Sequence, residues 1–445
     1  MKHLRKFENV QTMNTTLANS TIGILGLAYE GSTPVMKNKS GGTPGPDYSE
    51  PFYVENITQQ SETLTIAGFD LMGEGYLEFT VEYSTDGTAW SSFGTTGETP
   101  LTRTLQPGDK VYLRATADAW WVLDFERGDE HGCIINGVSK VGGNVMSLLY
   151  GSSFTGNETT FPSGSIANFA RLFNFNRNLV SASELILPAT TLTNYCYFEM
   201  FHSCSALTTA PELPATTMAP NCYESMFSGC TSLTTAPALS ATILTESCYI
   251  SMFGGCTSLT SAPALPATIL TESCYGYMFS GCTSLTSAPA LPATTMALNC
   301  YNSMFETCTS LTTVPELPAT TLASRCYYRM FHGCTALTSA PELPATTLAE
   351  NCYGSMFETC TSLTTVPELP ATTLTNMCYY YMFDGCTHLN YIKCLATDIS
   401  ASSCTSNWVR GVASTGTFVK NPNMSSWTTG DNGIPSGWTV QEATE

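Results

Sequence analysis

The chain has 445 residues, enough for two or three domains, and 43% of them are hydrophobic, as in globular proteins. Only 12% are charged, about half the usual share, and the formal net charge is −19. Such an excess of acid repels phosphate backbones, so the composition argues against a nucleic-acid partner. No run approaches the roughly twenty apolar residues of a membrane helix, so we expect no membrane insertion.

The first segment, residues 1–48, has weak periodicity and ends in the Gly/Pro run GGTPGP at 41–46, which breaks regular structure. We interpret it as an arm that attaches to another protein, with a loosely ordered terminus as the alternative. Its only apolar run, Thr21 to Tyr29, is short and late for the core of an export signal. We therefore expect a protein that is made and folded in a cytoplasm.

Residues 49–128 predict a small all-β sandwich. Apolar and polar residues alternate over 76–83 and 110–115, which is the pattern of half-buried strands. The string YSTDGTAW, followed by a Pro-Gly-Asp turn and a further β run, resembles immunoglobulin-like modules of bacterial and phage surface proteins. Residues 129–165 are expected to be short strands that connect this module to the next domain.

Two cysteines eight residues apart then recur every 26 residues, eight times without a change of register. A Met-Phe pair lies between them, and a leucine follows the second cysteine by three residues. A fixed period of this length predicts a solenoid over residues 166–390, in which each coil stacks on its neighbours. The first cysteine series is Cys196, Cys222, Cys248, Cys274, Cys300, Cys326, Cys352 and Cys378, and the second is Cys204, Cys230, Cys256, Cys282, Cys308, Cys334, Cys360 and Cys386.

The two series are expected to be buried thiols. Equivalent residues of adjacent coils lie about 4.8 Å apart, the spacing of strands in a sheet. Because each sulfur can form only one disulfide, bridging every neighbour along a series is impossible. We therefore predict that these cysteines act as small hydrophobic residues.

Within one unit, the sequence predicts a short helix and a short strand. Cys222, Met226 and Cys230 are spaced i, i+4, i+8, the apolar stripe of a helix of about two turns. Threonines before the stripe are N-cap candidates, and Gly229 is placed to end the helix. Residues 231–236 are rich in threonine and predict a strand that ends at a proline. The predicted fold class is an α/β leucine-rich-repeat solenoid, with a short parallel strand and a short helix per unit, preceded by a small all-β sandwich.

Atypical units are expected at both ends of the solenoid. The unit that begins near residue 166 keeps the leucine and the LPATTL string but lacks both cysteines, as a terminal coil should. Residues 391–445 are predicted to form the C-terminal cap. Three tryptophans, Trp408, Trp427 and Trp438, are expected to cover the last open coil, with sugar stacking as the alternative.

The repeat resembles the BspA-like leucine-rich repeats through its leucine strand and the Met-Phe-x-x-Cys-x-x-Leu pattern over residues 166–390. The resemblance implies a solenoid with a parallel sheet along one side. That family includes surface adhesins of gut and oral anaerobes, and similar arrays occur in phages of those bacteria. This unit is longer than the commoner family unit by a proline turn, so the resemblance does not fix the curvature.

The positions that differ between units are the candidates for recognition. They are the second and third residues after the first cysteine and the residue after Met-Phe, all predicted to lie on the outer side of the helices. Exposed aromatic and arginine side chains are the usual anchors of a binding surface. The alternative is that these positions are unconstrained and solvated. The candidate binding residues are Tyr277, Tyr328, Arg329, Tyr380 and Tyr381.

No catalytic, cofactor-binding or metal site is predicted. The five histidines are scattered, no nucleophile is paired with a base, and the repeats contain neither Cys-x-x-Cys nor histidines in register. The turn residues Asp86 and Asp109 are expected to cap their own backbone rather than to bind calcium. We therefore expect a protein that is not an enzyme and has no cofactor.

The expected function is that of a phage virion-associated fibre or spike-like protein, made in the host cytoplasm. The N-terminal segment would contact other virion proteins, and the solenoid would bind a host surface protein or glycan. One alternative is a BspA-like adhesin on a bacterial cell surface, and another is a non-binding structural virion or scaffold component. A homo-oligomer is compatible with each of these, and the sequence does not name the receptor.

Overall fold

The computed structural model of the chain describes residues 28–30, 33–35, 46–70, 79–115 and 131–444. Most of the predicted attachment segment, including its apolar run and the Gly/Pro run, lies outside the described residues. The first part of the predicted strand 76–83 also lies outside them.

The chain divides into two compact units, Met1–Asp47 and Tyr48–Glu445. In the first unit, β1 (Ala28–Glu30) and β2 (Thr33–Val35) pair as an antiparallel hairpin. All of the other elements belong to the second unit.

The second unit begins with two β-sheets that share one hydrophobic core. The strands of this region are β3 (Tyr53–Glu55), β4 (Glu62–Asp70), β5 (Thr80–Ser84), β6 (Ser91–Thr95), β7 (Leu101–Leu105), β8 (Lys110–Ala115), β9 (His131–Asn136) and β10 (Lys140–Asn144). The first sheet has six strands in the order β6-β5-β8-β3-β10-β11, where β11 (Ser181–Ile186) belongs to the solenoid, and the order in the other sheet is β7-β4-β9. Val54 and Leu113 of the first sheet and Leu64 and Ile135 of the second are buried in that core. The all-β module predicted before the solenoid is therefore confirmed.

The sandwich continues directly into the solenoid. Strand β10 pairs in parallel with β11 (Ser181–Ile186), which is the first solenoid strand. The ring of Phe52 stacks on that of Phe173 with 6.0 Å between centroids, so the two cores are joined. Among the residues that the structure describes, α1 (Ser147–Tyr150) is the only α-helix, and a 3₁₀ turn, Gly151–Ser153, follows it.

In the described ranges, no helix has the length and the apolar character that a membrane span requires.

Each 26-residue coil contains turns where the sequence predicted a helix. Around the pair Cys222 and Cys230, left-handed residues recur at every fourth position, with φ of 57° at Asn221, 53° at Ser225 and 75° at Gly229. A right-handed helix cannot contain such residues. The predicted solenoid and its period are confirmed, and the short helix of each unit is corrected to a series of turns.

The turns divide the backbone hydrogen bonds equally between the coil itself and the next coil. The N–H of Met226 donates to Tyr223 O three residues earlier, at 3.2 Å. The N–H groups of the alternate residues point out of the coil, so that Tyr223 donates to Cys248 O at 3.1 Å and Phe227 to Met252 O at 2.9 Å. Each buried peptide group is thereby satisfied without a helix. The turn pattern repeats every four residues, so residues at i, i+4 and i+8 lie on the same side of the coil and form the apolar stripe.

Two columns of stacked aromatic rings fill the coils. Tyr223 and Tyr249 lie 5.9 Å apart with 5° between ring planes, and Phe227 and Phe253 lie 5.7 Å apart with 2° between them. Offset stacking of this kind adds to the free energy gained by burying the rings. The tyrosine column comprises Tyr197, Tyr223, Tyr249, Tyr275, Tyr301, Tyr327, Tyr353 and Tyr379, and the phenylalanine column comprises Phe173, Phe201, Phe227, Phe253, Phe279, Phe305, Phe331, Phe357 and Phe383.

The cysteines of both series are buried and unbridged, which confirms the prediction. Thiols of the second series also connect neighbouring coils, because Cys230 Sγ donates to Phe201 O and Cys256 Sγ donates to Phe227 O, each at 3.1 Å. Burial raises the pKa of Cys282 to about 12, so its thiol stays protonated. A small side chain with one weak donor therefore fits this position.

The predicted threonine strands are mostly single parallel bridges between coils, such as Thr235 with Ser261 and Ser287 with Thr313. The proline that follows each bridge removes a backbone donor and keeps the ladder short. Longer pairing begins at the segments 391–394 and 417–420, which contain no proline. The resulting parallel sheet contains β12 (Thr365–Leu369), β13 (Tyr391–Cys394), β14 (Thr417–Lys420) and β15 (Thr439–Glu442).

Tryptophans close the C-terminal end of the aromatic columns, as predicted. Trp408 occupies the position of the repeat methionine and stacks between Tyr379, at 6.0 Å, and Trp427, at 5.7 Å. Its Nε1 donates to Gly433 O at 2.8 Å, and Trp438 Nε1 donates to a backbone oxygen at 2.7 Å. The rings therefore cover the apolar surface that a further coil would otherwise cover.

Candidate functional site: a tyrosine cluster on the turn face

We define the turn face as the surface formed by the residues between the two cysteines of each coil. The third residue after the first cysteine is left-handed in each regular coil, with φ of 56° at Tyr277, 54° at Arg329 and 53° at Tyr381. Serine occupies the same position in the intervening coils, for example Ser303 and Ser355. Because non-glycine residues adopt this conformation at a cost of about 1–2 kcal/mol, the fold constrains this column.

In the last three regular coils, large and small side chains alternate along the neighbouring column, which is formed by the second residue after the first cysteine. Tyr328 and Tyr380 lie two coils apart, and Gly354 lies between them. A Cβ added to Gly354 would lie 3.1 Å from Tyr328 Cδ2 and 1.9 Å from Asn351 Oδ1. The glycine therefore makes room for the tyrosine ring of the preceding coil.

Two of the predicted residues are in ring contact, and we call this pair the tyrosine cluster: Tyr380 and Tyr381. The rings of Tyr380 and Tyr381 are 4.3 Å apart between centroids and meet edge to face at 66°. Desolvation raises the pKa of Tyr380, and the hydrogen bond with Tyr381 and the charges of Tyr328 and Glu358 raise it further. The Arg410 guanidinium lies 5.1 Å from the centroid of Tyr381.

A column of charged residues borders this cluster. Arg329 Nη2 lies 3.0 Å from Glu306 Oε1, and His332 Nδ1 lies 3.2 Å from the same oxygen. Burial alone would raise the pKa of Glu306, but hydrogen bonds from His332 and Ser303 and the charge of Arg329 lower it overall. Asp384 pairs with Arg410, whose Nε lies 2.9 Å from Asp384 Oδ1. The column comprises Glu306, His332, Glu358, Asp384 and Arg410.

Glu306, His332, Glu358 and Asp384 are among the varying positions that the sequence predicts, but their charge pattern and the addition of Arg410 were not predicted. The residues of the column follow one another at intervals of 26, which is the signal that places them one above another. Of the predicted anchors, Arg329 is engaged in this ion-pair network rather than free. Tyr277 is 40% exposed, and among the described residues no ring contact joins it to Tyr380 or Tyr381.

The two turn aspartates of the sandwich accept hydrogen bonds from the backbone of their own turns, as expected. Asp86 Oδ1 accepts hydrogen bonds from the N–H groups of Thr88 and Ala89, each at 2.8 Å, and these bonds lower the pKa of Asp86. Asp109 Oδ2 accepts a hydrogen bond from Gln106 N at 2.7 Å. Across the described ranges, no group of three His, Cys, Asp or Glu residues is placed to hold a metal ion.

These features define a repeat solenoid that is built from 26-residue coils. No protein-family model matches the chain, and no curated protein matches it. Among solved structures, it is similar to a chain in the crystal structure of the TLR13–ssRNA13 complex, with 16% sequence identity and a TM-score of 0.24. The similarity covers 57% of this chain and 38% of the TLR13 chain, so this chain spans well under half the length of that neighbour.

Proposed function

We propose that this protein is a phage virion-associated fibre or spike-like protein whose BspA-like solenoid binds a host surface protein or glycan. The observation that carries the proposal is the unbroken stacking of rings from Phe173 to Phe383, because it leaves the exterior of the coils for recognition. A long surface of this kind suits the binding of extended partners.

In this proposal, residues 1–48 contact other virion proteins and the sandwich, an immunoglobulin-like module, acts as a spacer. The parallel pairing of β10 with β11 and the shared core support a spacer that bends little relative to the solenoid.

The tyrosine cluster is the part of the turn face that we assign to host contact. Tyrosine buries a large ring at low conformational cost and is enriched among the residues that dominate binding energy. Neighbouring coils place serine where Tyr381 lies, so the tyrosine is not required by the left-handed backbone.

Adsorption of the full chain to host cells tests the proposal. The double variant Tyr380→Ser/Tyr381→Ser introduces residues that other coils carry at these positions, so we expect it to fold and to lose at least tenfold in cell binding. The control Ile243→Ser removes a side chain that is 78% exposed outside the turn face and should bind normally. Equal binding by the double variant would contradict the assignment of the cluster.

Two alternatives are separated by where the protein is found and what it binds. Mass spectrometry of purified phage particles and of cell envelopes should detect the protein in the particles. Presence only in envelopes would favour a bacterial BspA-like adhesin. Presence in particles without adsorption to any host strain would favour a structural or scaffold component.

A further inference from the structure

The asparagine at the end of β9 is folded onto the backbone of the residue that follows it. Asn136 Oδ1 accepts a hydrogen bond from Gly137 N at 2.9 Å. Among the described residues, this is the only hydrogen bond of the Asn136 side chain. Because Asn136 Cγ is bonded to Oδ1, the same contact brings the Gly137 nitrogen close to the side-chain carbonyl carbon.

The residue after Asn136 has to be glycine. Gly137 has φ of 75°, and a Cβ at this position would lie 2.0 Å from Thr63 O. Since glycine has no side chain, no group of its own shields its nitrogen from Asn136 Cγ. The backbone nitrogen and the side-chain amide are therefore held next to each other, and such proximity favours ring closure between them.

The chain contains one other Asn-Gly pair, in the C-terminal cap, and its contacts are different. Asn432 Oδ1 accepts a hydrogen bond from Asn407 N of the preceding coil at 2.6 Å. Gly433 N donates to Gly430 O at 2.9 Å rather than to the side chain of Asn432. Asn432 is nevertheless more exposed than Asn136. Exposure alone would make Asn432 the more reactive residue, whereas the contacts favour Asn136.

We propose that Asn136–Gly137 is a site of spontaneous modification at which the side-chain amide is lost and isoaspartate forms. Gly137 N forms a bond to Asn136 Cγ, and the bond between Cγ and Nδ2 breaks. The proton of Gly137 N passes through water to Nδ2, which leaves as ammonia. One water then opens the succinimide ring, and attack at the main-chain carbonyl of Asn136 gives isoaspartate. Water is the only co-reactant, and the inference does not depend on the proposed host binding.

The modification would act on the connection between the sandwich and the solenoid. Isoaspartate lengthens the main chain by a methylene at the point where β9 leads to β10. Two carbonyls just beyond this point bind the first coil, because Val138 O accepts a hydrogen bond from Asn176 Nδ2 at 3.2 Å. Similarly, Ser139 O accepts one from Val180 N at 2.7 Å. A longer chain at residue 136 shifts these carbonyls from their donors and weakens the connection.

Peptide mapping by mass spectrometry of the full chain, stored at pH 7.5 and 37 °C, tests the proposal. Conversion at Asn136 should be about tenfold faster than at Asn432, since only Asn136 is held against the nitrogen that attacks it. In urea the two Asn-Gly pairs should react at similar rates, because the fold no longer distinguishes them. The proposal would be overturned by equal rates in the folded chain or by faster conversion at Asn432. It would also be overturned by an unchanged Asn136 after a period in which the sample in urea has reacted.

Limited proteolysis measures the effect on the connection. The stored chain should be cleaved between residues 136 and 181 several times faster than the fresh chain. Stored Asn136→Gln should match the fresh chain, because its longer side chain would have to close a larger ring. Fresh Asn136→Asp should also match it, since this variant has the new charge but a main chain of normal length. Thermal unfolding checks that both variants are folded.

Asn432→Gln is the matched control at the second Asn-Gly pair. After storage it should be cleaved as fast as the stored parent chain and should show the same conversion at Asn136. If the stored parent chain is cleaved no faster than stored Asn136→Gln, or if fresh Asn136→Asp is cleaved equally fast, lengthening of the main chain does not weaken the connection.

Discussion

At the scale of single residues, the hydroxyl groups of the buried tyrosine column differ in whether they have a partner. Tyr249 donates to Met218 Sδ at 3.8 Å, whereas the Tyr275 hydroxyl is buried without a hydrogen-bond partner among the described residues. Both rings stack in the same column with nearly parallel planes. The ring is therefore required at both positions, and the hydroxyl at Tyr275 carries an uncompensated cost of desolvation.

The first prediction concerns this hydroxyl. Tyr275→Phe keeps the stacked ring and removes the unpaired group, so it should raise the free energy of unfolding by about 1 kcal/mol. Tyr249→Phe is the matched control and should gain less, because it also loses a weak hydrogen bond. Urea denaturation measures the free energy of unfolding of both variants. A loss of more than about 1 kcal/mol in Tyr275→Phe would mean that the hydroxyl is satisfied after all.

The second prediction concerns threonines in the left-handed position before the second cysteine. Most coils have glycine there, but Thr359 has φ of 59°. A β-branched residue is strained in this region, so Thr359→Gly should stabilise the protein by about 0.5–1 kcal/mol after the entropy cost of glycine. Thr361→Gly, at a position whose φ is not positive, should destabilise it. Urea denaturation of both variants measures their free energies of unfolding. If both changes destabilise the protein, the left-handed backbone does not strain Thr359.

At the scale of elements, the coil is the unit that can be removed. The coil boundary is well defined because residues 245–248 and 271–274 have the same sequence, TESC. Each regular coil donates the same set of hydrogen bonds to the next and stacks its rings at nearly the same distance. A solenoid built from nearest-neighbour contacts should therefore tolerate the loss of one whole unit.

Deletion of 245–270 tests this expectation. The deletion joins Leu244 to an identical TESC string and keeps every ladder in register, so we expect a soluble, cooperatively unfolding protein with a modestly lower Tm. Deletion of 258–270, half a coil, shifts all later residues out of register and should prevent folding of the C-terminal coils. Circular dichroism and limited proteolysis compare the two. Equal behaviour of the two deletions would contradict the stacking of equivalent positions.

At the scale of the whole molecule, the buried cysteine thiols make the stability of the fold depend on pH. Burial raises the pKa of each thiol in the two cysteine series, for example to about 12 for Cys196 and Cys360. In the unfolded chain these thiols ionise above about pH 8.5. Above that pH the folded state therefore holds more protons than the unfolded state, and the free energy of unfolding falls as the pH rises.

The resulting prediction is a steep alkaline loss of stability. Each buried thiol lowers the free energy of unfolding by up to about 1.4 kcal/mol per pH unit above its unfolded pKa, and the thiols of both series act in the same direction. Urea midpoints under reducing conditions should be constant between pH 6 and 8 and fall sharply by pH 9.5. Cys282→Ser removes one buried thiol and should therefore make the urea midpoint less dependent on pH above pH 8. A midpoint at pH 9.5 equal to that at pH 7.5 would contradict the burial of the thiols.

Part of the candidate site could be read from the sequence. The varying positions of the repeat predict Tyr328, Tyr380 and Tyr381 as candidates, and the structure places the rings of Tyr380 and Tyr381 in contact. The pairing of Arg329 with Glu306 and that of Arg410 with Asp384 could not be read in the same way. These depend on how side chains from adjacent coils share partners, which follows from distances in space and not from the repeat alone.

The 26-residue period by itself determined the solenoid, the buried cysteines and the residues that face the core, because stacking in register is the arrangement that buries every apolar position of identical units together. Whether each unit contains a helix or turns was decided by the tertiary structure. Over eight residues an i, i+4, i+8 stripe fits a helix of 3.6 residues per turn and a turn repeat of four equally well. The neighbouring coil selects the turns, since only they direct alternate N–H groups, such as those of Tyr223 and Phe227, to carbonyl acceptors one coil away.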